Sequence, residues 1–356
     1  LSFAITACGP LIPEIDKIDR YKVEVQQQVK DLVGVYPLSV GSSLKFAGQS
    51  GDKFIFYGLT DRGPNTGFKT EGKEFFIATV PNFTPSILKI EVDVKEKKAE
   101  VVDALKLSFE GKPVGILPPE TEMFQEQNLD SVDVNGHPLK SDKLGLDPEG
   151  LAIDKSGNFW VVDEYGPSLN YVNAKTGNIE ARYVPGNGLP EILKWTQLNR
   201  GFEAVAVAPN GLVYLAVESV LDINKETKNI SKFIRIVEFN PRTRVSRMFA
   251  YPYEQGLYKF NSEARIGDMD VINNEELVLI EKGPDKDNKA ESLVFKVNLK
   301  NAKDITGIKI AGKPLEYSDM EDHDDILLKK QKVIDVKLHG WTHMNMEGLA
   351  VIDTKS

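Results

Sequence analysis

The sequence predicts an all-β fold, a six-bladed β-propeller built from four-stranded antiparallel blades. Two observations predict it: short apolar strands recur between turn residues, and a pair of acidic motifs recurs along the chain. The composition agrees, because 41% apolar residues together with 28 glycines in 356 residues is typical of a globular protein.

The strand signal consists of runs rich in β-branched and aromatic residues. Such runs occupy 54–57, 159–162, 212–217 and 277–280. Turn segments at 154–158 and 209–211 each separate two runs, as hairpin connections do. Helical periodicity is scarce, and the best candidates are the short segments 190–198 and 324–332.

The first acidic motif is an acid beside a small or flexible residue, followed by an apolar strand. It occurs at Glu149, Glu203, Asp268 and Glu347, and Ser43 takes the place of the acid in the first copy. The 106-residue gap between the copies at 43 and 149 accommodates two units, with a degenerate copy near 75–92, which gives six units in all. The last copy has no hairpin partner, so either the end is truncated or a strand near 21–29 completes that blade.

The second motif is an acid, any residue, Gly and Pro, found at 61–64, 164–167 and 281–284. Glu218 ends the corresponding strand of the third copy, 15 residues after Glu203. Two strands and a turn account for that spacing. The first strand of a hairpin starts at the edge where the second one ends, so the two acids of each copy are expected to face the same way.

Three segments carry a resemblance to a known family. They are 145–152 (GLDPEGLA), 160–167 (WVVDEYGP) and 199–206 (NRGFEAVA), and they resemble the phytase-like β-propeller family, often described by its "esterase-like activity of phytase". The resemblance covers roughly residues 40–352. It implies a hydrolytic propeller without fixing a substrate.

The repeat predicts a ring of carboxylates, because the innermost strands of propeller blades line a central channel. The predicted metal ligands are Glu149, Glu203, Asp268, Glu347, Glu218, Glu281 and Asp61. Oxygen ligands in this number suit Ca²⁺, whereas one cysteine and four histidines make zinc a poor match. The alternative is that these acids cap turns or bind backbone amides of the next blade.

Basic residues recur in the same frame. Arg62, Arg200, Arg265 and Lys282 are predicted to bind an anionic substrate group; the alternative is that they form salt bridges between blades.

Asp163 or Glu164 is a candidate base or support for a ligand, and His343 is a candidate base or ligand ahead of Glu347. A histidine in a loop can equally be a satisfied structural residue.

These residues predict a calcium-dependent hydrolase that attacks a phosphate or other small-molecule ester with a metal-activated water. A calcium-dependent lactonase or esterase, and a non-catalytic binding or scaffold propeller, are the alternatives. No nucleophile elbow, P-loop or dinucleotide motif is present. The net charge of −9, without a basic block, argues against nucleic acid as a partner.

The first twenty residues are expected to be a signal-peptide remnant, a lipobox and a tether, with a single propeller domain over 21–356. The segment 5–8 (ITAC) resembles a bacterial lipobox, which would place a lipid on Cys8. An exported cell-envelope lipoprotein, in the periplasm or on the outer surface, would follow, touching the membrane only through its anchor. The alternative is a strand with an inert buried thiol.

Overall fold

A computed structural model describes residues 20–30, 35–70, 73–119, 129–341 and 345–352. It confirms the all-β prediction, since the described residues contain strands and short 3-10 helices but no α-helix. The 3-10 helices are Glu191–Trp195, Ile223–Lys225, Asn261–Glu263, Leu315–Tyr317 and Val336–His339. None of the helices in the described ranges is long and apolar enough to span a bilayer.

The strands are numbered in chain order. The first twelve are β1 (Val23–Val25), β2 (Gln28–Lys30), β3 (Val35–Pro37), β4 (Ser42–Ser50), β5 (Lys53–Leu59), β6 (Asn65–Thr70), β7 (Lys73–Ala78), β8 (Ser86–Asp93), β9 (Lys98–Lys106), β10 (Ser108–Phe109), β11 (Lys112–Pro113) and β12 (Leu129–Val132). The next nine are β13 (Pro148–Ile153), β14 (Phe159–Asp163), β15 (Ser168–Val172), β16 (Asn178–Pro185), β17 (Gly188–Leu189), β18 (Phe202–Val207), β19 (Val213–Val217), β20 (Ile234–Asn240) and β21 (Val245–Tyr251). The last six are β22 (Arg265–Asn273), β23 (Glu276–Pro284), β24 (Ala290–Asn298), β25 (Lys309–Ile310), β26 (Lys313–Pro314) and β27 (Lys329–Asp335).

Four sheets share the same plan of four antiparallel strands. They are blade I (β4, β5, β8, β9), blade II (β13 to β16), blade III (β18 to β21) and blade IV (β22, β23, β24, β27). Two strands extend them in parallel, β1 beside β9 and β10 beside β16. The predicted runs 54–57, 159–162, 212–217 and 277–280 lie at the second strand of each blade, β5, β14, β19 and β23.

The first strand of each blade lies at a sheet edge, and these four strands contact one another in turn. β4 packs against β13, β13 against β18, β18 against β22, and β22 against β4. The arrangement is propeller-like, with inner strands around an axis.

Segment 345–352 also contacts the inner strands at both ends of this series. The amide of Ser43 in β4 donates to the carbonyl of Glu347 (2.7 Å), and the amides of Leu349 and Val351 donate to Asp268 and Asp270 of β22 (2.9 and 2.8 Å). The segment therefore joins blade IV to blade I.

Packing between blades explains why the second strands are apolar throughout. Every residue of β14 and of β19 is buried, because neighbouring blades cover both faces of each sheet. One core cluster runs through blades II to IV, and another joins Leu59 of blade I to Leu151 and Val161 of blade II.

The six-blade count is not confirmed. The described residues form four four-stranded blades, and the expected degenerate copy at 75–92 is not a separate unit. Its start belongs to β7, which forms a three-stranded sheet with β6 and β12, and its end is β8 of blade I. The long gap between the first two repeats thus contains an inserted sheet.

The helical candidates also differ from the prediction. Segment 190–198 contains only the 3-10 helix Glu191–Trp195, and the helix expected over 324–332 is wrong, because β27 begins at Lys329 and pairs with β24. Cross-strand pairing outweighs a short local periodicity there.

Candidate functional site

The inner strand of every blade has a β-bulge at the first acidic motif. The register shifts fall at Ser43 in β4, Glu149 in β13, Glu203 in β18, and the Gly267–Asp268 pair in β22. A bulge leaves one residue out of the ladder and re-aims its side chain. The repeated acid therefore marks a position that leaves the regular pleat.

The small residue beside each acid has a packing reason. A Cβ on Gly150 would lie 2.8 Å from the carbonyl oxygen of Glu203 in the next inner strand, and one on Gly348 would lie 3.1 Å from Cβ of Leu44. Inner strands approach closely where the motif occurs, so a glycine or alanine stands next to each of these acids.

Carboxylates from blades II and III meet in one continuous group, here called the acid cluster. Oxygens of Asp147, Glu149 and Glu164 lie within 4.8 Å of one another, as do oxygens of Glu164, Glu203 and Glu218. Glu164 is common to both triads. The structure thus brings together three predicted metal ligands (Glu149, Glu203, Glu218) and one predicted base (Glu164).

Backbone hydrogen bonds hold the second-motif acids in place. The amide of Glu164 donates to the carbonyl of Asp147 (2.9 Å), and the carbonyl of Glu164 accepts from Gly201 (2.8 Å). Gly201 in turn accepts from the amide of Glu218 (2.9 Å). This series ties the end of β14 to blade III and fixes both acids relative to each other.

Asp61 and Glu347 border the acid cluster. Burial raises the pKa of Asp61 to about 6, and the charges of Asp147 and Glu347 add to the rise. Asp61 accepts a hydrogen bond from the amide of Gly63 (2.7 Å).

Burial dominates the electrostatics of the acid cluster. It raises the pKa of Glu203 to about 8 and the pKa values of Glu149 and Glu164 well above the ordinary range, and neighbouring carboxylates add to each rise. Lys282 opposes the rise at Glu203. Such acids take up protons at neutral pH unless a cation compensates their charge.

The predicted anion-binding residues all contact carboxylates of this region. Lys282 Nζ lies 3.0 Å from Glu203 Oε1 and 2.9 Å from Glu347 Oε1. Arg200 Nη1 lies 2.5 Å from Glu218 Oε1, and Arg265 Nε lies 3.8 Å from the same oxygen. The salt bridges between blades, left open by the sequence, are therefore present.

Arg62 holds two members of the acid cluster. Its amide donates to Asp147 Oδ1 (3.1 Å), and its Nη1 donates to Asp147 Oδ2 and to Asn199 Oδ1. Asn199 passes the contact on by donating from Nδ2 to Glu164 Oε2 (2.6 Å). The guanidinium lies 5.4 Å from the ring centroids of both Phe76 and Tyr165, which fix its orientation.

The acid cluster retains unused acceptor capacity. In the described ranges, Glu218 Oε2 is buried without a hydrogen-bond partner, and no donor hydrogen-bonds to the partly buried carboxylate of Glu149. A buried carboxylate oxygen without a donor is costly. Several carboxylates from separate strands, with one oxygen left open, fit a hard cation that takes oxygen ligands, as Ca²⁺ does.

Asp268 and Glu281 occupy the repeat positions but lie in other networks. Asp268 is fully buried and bound by Lys45 (2.9 Å), the hydroxyl of Ser43 (3.1 Å) and the amide of Leu349. Glu281 accepts from the hydroxyls of Tyr251 (2.6 Å) and Tyr258 (2.9 Å), from the amide of Glu254 (2.9 Å) and from Lys330 (2.9 Å). Protein donors satisfy both carboxylates.

Asp163 points away from its neighbour Glu164 and supports the strand end. It accepts from the amides of Asp147 (3.0 Å) and Tyr165 (3.2 Å), and Arg182 lies 3.4 Å away. Burial raises its pKa to about 7. His343 and Cys8 lie outside the described residues.

Two participants were not predicted as site residues. Asp147 stands two residues before Glu149, and Asn199 opens the segment that contains Arg200 and Glu203. Asp147 lies in segment 145–152 and Asn199 in segment 199–206, so their position close to a repeated acid was the sequence signal that could have identified them. Asn199 has φ of +53°, a left-handed conformation that asparagine tolerates better than most residues.

Comparisons with solved structures give remote similarities. Hydrazine synthase from Kuenenia stuttgartiensis matches at 13% identity with a TM-score of 0.32, over 65% of each chain. A GH43 protein BlXynB mutant from Bacillus licheniformis matches at 13% identity (TM-score 0.33), over 76% of this chain and 47% of that one. Virginiamycin B lyase from Staphylococcus aureus matches at 9% identity (TM-score 0.30), over 76% and 83% of the two chains. The chain thus spans less than two thirds of the first two structures.

No curated protein matches the chain. A family model does: the one described as "Phytase-like: Esterase-like activity of phytase" matches residues 43–356 and so includes the acid cluster. The resemblance noted in the sequence is confirmed, and the chain belongs to the phytase-like family.

Proposed function

We propose that this protein hydrolyses phosphate or other small-molecule esters with the help of a calcium-type cation bound at the acid cluster. One observation carries the proposal: buried carboxylates of blades II and III converge, and Glu218 Oε2 among them has no hydrogen-bond donor in the part of the chain that the structure describes. The family description adds esterase-like chemistry.

The cation ligands would be Glu164, which both triads share, together with Glu149 from one triad and Glu218 from the other, with Asp147 and Glu203 at the margins. When bound, a divalent cation would polarise the ester and lower the pKa of a coordinated water. Arg62 and Asn199 orient Asp147 and Glu164 and so preorganise the ligand set.

The chain's own residues supply the other functions that hydrolysis needs. The side chains of Arg200 and Arg265 are 21% and 28% exposed beside Glu218, so their guanidinium groups can bind an anionic oxygen of the substrate. No donor in the described ranges hydrogen-bonds to Glu149, so its carboxylate, once the charge of a cation keeps it ionised, can accept a proton from the attacking water. The water oxygen then joins the phosphorus or carbonyl carbon as the ester bond breaks, and the leaving alkoxide takes the proton from Glu149 and departs as the alcohol.

A lactone or uncharged carboxyl ester is the second candidate substrate, and the family's esterase-like description favours it. The two candidates differ in their need for the arginines. Arg200→Gln would raise KM for p-nitrophenyl phosphate and leave KM for p-nitrophenyl acetate nearly unchanged if the phosphate assignment is right. Equal loss on both substrates would contradict it.

Turnover of p-nitrophenyl phosphate, p-nitrophenyl acetate and a γ-lactone, each in Ca²⁺ and in EDTA, tests the proposal. We expect calcium-dependent hydrolysis of at least one substrate, with a lower rate in Glu203→Gln while the fold is kept. A calcium-independent melting temperature together with no turnover on any substrate would favour the scaffold alternative. An unchanged rate in Glu203→Gln would remove that residue from the site.

We also propose export and lipid anchoring through Cys8, based on the sequence around it. The wild-type chain expressed with its complete native leader would then partition into detergent, and Cys8→Ser would stay aqueous. Equal partitioning of the two would refute the anchor.

A further inference from the structure

Lys282 is a buried cation placed between two predicted metal ligands. Its side chain is 6% exposed, and its Nζ lies 3.0 Å from Glu203 Oε1 and 2.9 Å from Glu347 Oε1. Lys282 belongs to β23 of blade IV, Glu203 to β18 of blade III, and Glu347 to segment 345–352, so the ammonium group links these three parts of the chain.

The cations at the opposite side of the acid cluster differ from Lys282, because Arg62 and Arg200 each hydrogen-bond to one carboxylate and Lys282 to two. Asn199 donates a hydrogen bond to Glu164, and Arg62 Nη1 lies 3.9 Å from Glu164 Oε2. Arg200 and Arg265 approach Oε1 of Glu218, and no donor in the described ranges hydrogen-bonds to its Oε2. Among the described residues, Lys282 thus bridges the carboxylates at the Glu203–Glu347 end, whereas acceptor oxygens stay available at the Glu149–Glu164–Glu218 end.

We propose that Lys282 takes the place of a second divalent cation, so that the site accepts one calcium-type ion, at the Glu149–Glu164–Glu218 end. This inference rests on the proposed function. An ammonium within hydrogen-bond distance of two carboxylates occupies the space that an ion bridging them would need, and its positive charge repels such an ion.

Lys330 provides a matched comparison in the same blade. Its Nζ also bridges two carboxylates, Glu281 (2.9 Å) and Glu254 (3.0 Å), and its side chain is 11% exposed. Two tyrosine hydroxyls and an amide already satisfy Glu281, and it is in neither carboxylate triad. Removing Lys330 should create no ion site.

Titration of the chelated full chain with CaCl₂ by isothermal calorimetry tests the inference. We expect one ion per chain in the wild type, two in Lys282→Met, and one in both Lys282→Arg and Lys330→Met. Circular dichroism spectra check that each variant keeps the fold. Two ions in the wild type would overturn the inference whether or not the variants fold, and so would a single ion in a folded Lys282→Met.

The outcomes separate this inference from the proposed function. If the wild type binds no ion but Lys282→Met binds one, the proposed function fails, and the inference fails with it because the Glu149–Glu164–Glu218 end then holds no ion. If neither binds calcium, both proposals fail. If the wild type binds one ion and Lys282→Met also binds only one, the inference fails and the proposed function stands.

Discussion

Glu164→Gln separates the two effects of the acid cluster, its internal repulsion and its affinity for a cation. Glu164 belongs to both triads, so the neutral isostere removes a charge shared by each. The amide oxygen of glutamine can still accept the hydrogen bond from Asn199. Two ionised carboxylates about 4.8 Å apart repel each other by roughly 3.5 kcal/mol at an effective dielectric constant of about 20.

Partial protonation relieves much of that repulsion when no cation is bound. We therefore expect Glu164→Gln to raise the free energy of unfolding by about 1–3 kcal/mol in EDTA near pH 8. An unfolding entropy of about 2.1 cal/mol/K per residue over 356 residues makes each kcal/mol worth about 1.3 °C in Tm. The variant should melt about 1–4 °C above the wild type in chelator.

In calcium the variant loses part of the stabilisation that the wild type gains from the ion. Loss of a residue that only supports a ligand costs about 10–100-fold in metal affinity, so loss of a ligand should cost at least that, about 1.4–2.7 kcal/mol. The calcium-induced rise in Tm should shrink accordingly.

Differential scanning calorimetry in EDTA and in CaCl₂ measures both effects. Glu91→Gln is the control, because Glu91 forms a partly exposed pair with Lys53 (2.9 Å) and its loss should change stability by less than about 1 kcal/mol in either buffer. A variant Glu164→Gln that is destabilised in EDTA and keeps the full calcium shift would refute the reasoning.

Three further predictions follow from the same contacts. Arg62→Lys removes the shared contact to Asp147 and Asn199, so calcium affinity measured by calorimetry should fall about tenfold, and an unchanged Kd would show that Arg62 does not position the ligands. In EDTA the Tm should fall as the pH rises from about 5 to about 8, because folded Glu203, with a pKa of about 8, holds a proton that the unfolded chain has released. Saturating calcium should remove this fall. A Tm that does not change with pH in EDTA would contradict the raised pKa. Gly150→Ala places a Cβ against the next inner strand and should lower the free energy of unfolding, measured by chemical denaturation, by about 1–3 kcal/mol. In the control Gly166→Ala, the new Cβ meets no atom of the described residues within 4 Å, so the free energy of unfolding should change by less than about 0.5 kcal/mol. Equal effects of the two substitutions would argue against close packing at the motif.

The repeated motifs predicted the inner strands, and they contain four of the five carboxylates of the acid cluster. Glu149 and Glu203 stand at equivalent blade positions, and the structure brings both into the acid cluster with Glu164 and Glu218. Hairpin geometry was enough for this, because the spacing of the two acids fixes which edge of the blade they share.

Sequence could not separate the acids that join the acid cluster from those that do not. Asp268 and Glu281 have the same motif, but Lys45 and two tyrosines satisfy them. Lys45 lies 223 residues from Asp268, and such a pairing follows only from the ring arrangement of the blades.

The blade count was obscured by a different cause. The inserted sheet of β6, β7 and β12 has the same strand-like composition as a blade, so the sequence predicts a further blade where this sheet lies. Composition reports strand formation and not the sheet in which a strand pairs.

The joining of segment 345–352 to blade I has a consequence for the order of folding. Lys45 Nζ donates to the carbonyl of Leu349 across a separation of 304 residues, and contacts so distant in sequence form slowly because the loop they close is long. Individual hairpins can form from local information, whereas the junction between blade IV and blade I is complete only when this distant segment has docked on both. Glu347 belongs to this segment, so any folding intermediate in which the segment has not docked lacks one of the two carboxylates that contact Lys282. The charge balance around Lys282 is therefore completed at the same step that joins blade IV to blade I.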